Sequence, residues 1–78
     1  MPWVDVLWTD ENESHLRANH VSRDEAEYVI RNPIAYDVSE SSERPIVFGY
    51  TANRRKLAVV YEVVDSITVY PITAYVVE

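Results

Sequence analysis

At 78 residues the chain is one domain with one core, and a core of that size leaves little net stability, so oligomerisation or a tight partner is a standing expectation. It has no cysteine, which excludes a disulfide framework and a thiolate metal site, and its net charge of −6 excludes nucleic-acid binding by bulk electrostatics, leaving only a local basic patch for that role. No run is long and apolar enough to span a bilayer and the first residues lack a basic-then-apolar leader, so the expectation is a cytoplasmic protein with no membrane partner.

Pro2 to Thr9, with Trp3, Leu7 and two valines, reads as a first strand. Asp10 and Glu13 have capping-box spacing, which predicts a short helix from Glu11 to about Asn19 anchored by Leu16 and Ala18. Ser22 and Glu25 form a second box, with Val21 placed to staple Ala26. The helix that follows puts Ala26, Val29 and Ile30 on one face and Arg23, Glu27 and Arg31 in water, and it stops before Asn32-Pro33. Two helices joined by a tight turn suggest a DNA reader, but the second begins with acidic residues where a recognition helix would meet phosphates.

Ile34 to Ser39 alternates as a short strand, and Ser39 to Glu43 is a polar loop. Pro45 to Thr51 is a strand with Ile46, Phe48 and Tyr50 on one face, and the connection Thr51 to Arg55 offers Asn53 as the residue best suited to a left-handed turn. From Arg55 or Lys56 to Val64 runs the most apolar stretch of the chain. It has Leu57, Val59, Tyr61 and Val63 on one face and Ala58, Val60 and Val64 on the other. Asp65-Ser66 then reads as a hairpin turn, and Ile67 to Val77 as the last strand, in which Pro71 demands a bulge or an unpaired edge. The predicted class is α+β: an N-terminal strand, two short helices, then an antiparallel meander of three to four strands. One sheet face takes the helices, and the other meets a second subunit or floors a concave site.

Few residues carry chemistry. His15 and His20 are five apart, about 140° around a helix, which is wrong for joint metal ligation. His20, near the helix end, remains a candidate general acid or base. One glycine, Gly49, provides no phosphate loop. The acidic clusters Asp10/Glu11/Glu13 and Asp24/Glu25/Glu27 read as solvated helix starts. Nothing in the pattern calls for a cofactor. The triplet Arg54-Arg55-Lys56 is either a solvated hairpin end defending a strand edge or a phosphate clamp that stabilises charge on a phosphorane during RNA cleavage. In the second case Tyr61, Tyr70 and Tyr75 would be stackers or proton donors.

Taken together, Trp8-Thr9-Asp10, Asn19-His20-Val21-Ser22, Asp24-Glu25-Ala26, Phe48-Gly49-Tyr50-Thr51, Arg55-x-Leu57, Val59-Val60-Tyr61 and Ile72-Thr73-Ala74 resemble BrnT-like toxins and related small proteins of the RelE superfamily. The resemblance covers most of the chain. It implies a RelE-like fold and a ribonuclease, free or ribosome-dependent, whose partner protein is an antitoxin. It matches His20, Arg44 and Arg55 to the family's histidine and basic positions and so implies catalytic roles for them; Arg54 and Lys56 of the triplet, with Tyr61 and Tyr75, are then the candidate RNA contacts. The chain departs from the family where a lysine should precede the histidine and has Asn19, where a glycine should follow and has Val21, and in the closing motif, which has Thr73-Ala74-Tyr75. The reading from a different class is a non-catalytic interaction module of the same fold that forms a homodimer or binds a protein partner.

Overall fold

A computed structural model describes residues 4–40 and 43–77. The elements are β1 (Asp5–Val6), α1 (Asp10–Ala18), α2 (Arg23–Arg31), β2 (Ala35–Val38), β3 (Pro45–Tyr50), β4 (Lys56–Val63) and β5 (Thr68–Val76). The class is α+β, with two helices and one five-stranded sheet in the order β1-β5-β4-β3-β2. The sheet is mixed, because β1 runs parallel to β5 while β2 to β5 pair antiparallel. The expected first strand is cut to two residues, and Trp3 lies outside the described residues.

Pro71 explains why β1 is so short. The Leu7 amide donates to the Val69 carbonyl at 2.9 Å, so the next parallel bond would run from the amide of residue 71 to the Leu7 carbonyl. Proline has no N–H to give. Instead the buried Asn12 side chain supplies the donor, with Nδ2 3.0 Å from the Leu7 carbonyl. The same residue of β5 sits beside a register shift in its pairing with β4, where Tyr61 faces Pro71 and Val60 faces Thr73, leaving Ile72 as the extra residue. Pro71 therefore lies at a bulge and points its missing donor away from β4. Beyond it the outer edge of β5 is covered by Asn19, whose Nδ2 donates to the Ala74 carbonyl at 3.0 Å.

Local chemistry sets the helices. Ser22 and Glu25 make the expected box, with Val21 and Ala26 both buried in the main core. At α1 the cap is Thr9, one residue earlier than expected, in a reciprocal box with Asn12. Asp10 and Glu13 have the same spacing, but Asn12 is the buried one and its amide is needed by Leu7, so that register wins. Leu16 is buried as expected, while Ala18 is exposed. Glu27 and Arg31 do not simply face water. Glu27 Oε1 accepts from the Trp8 indole at 2.5 Å, and Arg31 Nη2 donates to the Val4 carbonyl at 3.3 Å, tying the start of the chain to α2.

The main core joins Leu16, Val21, Ala26, Val29 and Ile30 from the helical segment to Val47, Leu57, Val59, Tyr61, Val69 and Ala74 from one face of the sheet. A second cluster, Ile46, Ala58 and Val60 with Phe48, Ile72 and Val77, occupies the other face, and among the described residues no helical side chain belongs to it. The β4–β5 connection is longer than the expected two-residue turn: Val64 to Ile67 intervene, closed by the Val64 amide on the Thr68 carbonyl at 2.9 Å. Asp65 organises this loop, and hydrogen bonds from the Ile67 amide and Thr68 hold its carboxyl below the usual range. Residues 41 and 42 of the expected polar loop lie outside the description. Among the described residues no helix is long and apolar enough to cross a membrane.

Candidate functional site

The site begins where α1 ends. The Val21 amide bonds the Leu16 carbonyl and the His20 amide bonds the Arg17 carbonyl, both at 3.0 Å. This is a Schellman closure, with the left-handed position filled by His20 at φ 61°. Glycine is the usual occupant, and histidine is among the side chains that tolerate the conformation. The closure drops Val21 into the core beside Leu16 and leaves the His20 carbonyl to accept from Arg55 Nη2 at 3.0 Å.

Arg55 comes from the β3–β4 turn. There the Thr51 amide bonds the Arg55 carbonyl at 2.9 Å, the Arg55 amide returns to Thr51 Oγ1 at 3.0 Å, and the Thr51 hydroxyl donates to Asn53 Oδ1. The Arg54 amide bonds the Thr51 carbonyl at 2.9 Å, which makes residues 52 and 53 the central pair of the turn, and Arg54 takes the left-handed position expected of Asn53, at φ 67°. Arg55 Nη1 then donates to Glu25 Oε2 at 2.7 Å, with the two side chains only 31% and 20% exposed. Glu25 Oε1 meanwhile accepts from the Ser22 amide at 3.0 Å. Burial pushes the Glu25 pKa up, but the Ser22 amide and the Arg55 guanidinium outweigh it and hold the carboxyl below its ordinary range.

Two clefts meet at this pair and share Asp24 and Glu25. One, of about 540 Å³, lies at the helix junction and is lined by Glu13, Arg17, His20 and Arg23 among others. The other, of about 550 Å³, runs along Tyr28, Thr51, Ala52, Asn53 and Arg55. Arg17 and Arg23 were not legible as site residues. Arg17 is bonded to Glu13 at 3.1 Å, and Arg23 lies 4.0 Å from the same carboxylate with its guanidinium 5.7 Å from the Trp8 ring centre. Their one signal in the sequence is three-residue spacing either side of His20. Among the described residues no group of three or more His, Asp or Glu side chains is placed to hold a metal.

The structure brings His20 and Arg55 together and separates the other expected site residues. Strand alternation splits the basic triplet: Arg54 is in the exposed turn, Arg55 lies on the helix side, and Lys56 pairs with Tyr50 on the face that carries Ala58 and Val60. Arg44 precedes β3 at the end opposite the Arg55 turn, about 20 Å away for a strand of this length. Tyr61 is buried among core residues of the helix-side face, and burial together with the neighbouring Tyr36 phenol pushes its pKa up. Tyr75 pairs with Ala58 and so belongs to the other face.

No family model matches the chain, and no curated protein or solved structure is significantly similar to it.

Proposed function

We propose that the chain is a toxin-like protein of the BrnT and RelE kind, the partner of an antitoxin, with an RNA-directed site reduced to Arg55 and His20. The reading is carried by the meeting of two segments 35 residues apart in sequence, which hold two of the three residues to which the resemblance gives catalytic roles. Two of the five Arg55 guanidinium N–H groups are committed to Glu25 and His20. The remaining donors can receive a phosphate, and their rigid fork suits one. In RNA cleavage the ribose 2′-oxygen bonds to phosphorus as the bond to the 5′-oxygen breaks. The exposed His20 imidazole would move the proton, and Arg55 would stabilise the phosphorane charge. The Arg44, Tyr61 and Tyr75 positions are too dispersed to join that step.

His20→Asn tests this reading with the fold preserved, because asparagine accepts the left-handed conformation and only the backbone of His20 is used structurally. Induced expression of the parent chain should arrest growth, and His20→Asn should relieve the arrest at unchanged protein level. Full arrest by both His20→Asn and Arg55→Ala would remove the site from the mechanism. The second cluster on the helix-free face favours one further reading, a protein-interaction module that needs no chemistry.

A further inference from the structure

We propose that the helix-free face of the sheet is a self-association surface, on which a second copy of the chain packs face to face about a two-fold axis that lies in the interface plane and runs across the direction of β4. The proposal takes its surface from the interaction reading and adds the occupant. Ile46, Ala58 and Val60, none more than 8% exposed, form an apolar cluster with the half-buried Phe48, Ile72 and Val77, which give it its accessible surface; they come from β3, β4, the middle of β5 and the residue just past it. Tyr50 and Tyr75, 48% and 41% exposed, flank it through their pairings with Lys56 and Ala58.

The charges select the occupant. On β4, alternation puts Lys56 and Glu62 on the same face as Ala58 and Val60, and six residues hold them about 20 Å apart. Lys56 marks one end of the apolar patch. Glu62 marks the other, with Asp37 there too, paired with Ile46, and Arg44 preceding β3 at that end. One cation at the Lys56 end faces two carboxylates and one cation at the other, so the ends are net positive and net negative with apolar surface between, and the face is complementary to itself after a half-turn. Lys56 of each copy then meets Glu62 and Asp37 of the other, as an isologous interface requires.

A basic partner finds less to grip. With Asp5 on the edge strand included, the face carries three carboxylates against two cations, so most of the chain's net −6 lies elsewhere. That distribution also lowers the like-charge repulsion between two acidic copies where they would touch on this side.

The test is a charge-reversal cycle on the full chain, read by sedimentation equilibrium from 1 to 500 µM with circular dichroism as the check of fold. Lys56 and Glu62 are strand-end side chains outside both apolar clusters, so the variants should keep the parent spectrum. The parent chain should dimerise, Lys56→Glu and Glu62→Lys should each weaken the dimer at least tenfold, and the double reversal should restore it. A parent chain that stays monomeric to 500 µM overturns self-association and leaves the interaction reading standing. A dimer unaffected by either single reversal overturns the two-fold arrangement.

Discussion

Glu25 carries three structural duties with one carboxylate: it closes the capping box of α2, anchors Arg55, and forms the wall between the two clefts. Its depressed pKa gives these duties a pH dependence. A carboxyl lowered on folding contributes stability above its unfolded value, near 4.5, and the contribution is lost as pH falls through the folded value. Glu25→Gln should therefore cost about 1–2 kcal/mol at pH 7, and urea titrations at pH 7 and pH 3 should show the gap to the parent shrinking in acid. An equal gap at both pH values would mean that the charge is not what matters. His20 has a similar double character. It stands where a Schellman closure ordinarily takes glycine, so its backbone closes α1 while its side chain is left to the site.

At the scale of elements, Gly49 fixes how closely α2 lies on the sheet. A Cβ there would stand 3.1 Å from the Asn32 carbonyl and 3.1 Å from Val29 Cγ1, so the end of the helix would have to give by a few tenths of an ångström. Gly49→Ala should destabilise the chain by about 1–3 kcal/mol through this overpacking, measurable as a lower urea midpoint at unchanged slope, and an unshifted midpoint would show that α2 relaxes freely. The elements were largely legible because their determinants are local. Ser22 and Glu25 announced α2, and the alternating faces of β4 were written in Leu57 to Val60. The cap of α1 was not, because Thr9/Asn12 and Asp10/Glu13 offer the same spacing and only the burial of Asn12 decides between them. Arg55 was legible as a candidate. Its partner Glu25 was not, since thirty residues separate them and a capping glutamate shows no sign in sequence of a second, tertiary bond. The triplet misled for the opposite reason, because adjacency along a strand means opposite faces in space.

For the whole molecule, β2 to β5 are linked by short connections between sequence neighbours, whereas β1 pairs Asp5 with Thr68 and Val6 with Val69. Closing so long a loop is entropically costly, and the ladder that offsets the cost is two residues long, helped by the packing of Val4, Val6 and Trp8 on the core and by the Trp8 and Arg31 bonds to α2 and the Val4 backbone. β1 should thus be the first part of the sheet to open. Native-state hydrogen exchange should release the Asp5 and Leu7 amides, bonded to the Ile67 and Val69 carbonyls, well before those of Leu57 to Val60 in β4. Matching protection would show that the sheet opens as one unit. Pro71 gives this weak seam its position, since it denies the ladder a third rung. A strand that cannot lengthen past that rung also docks late: during synthesis β1 waits, without a neighbour to pair with, until Val69 has left the ribosome.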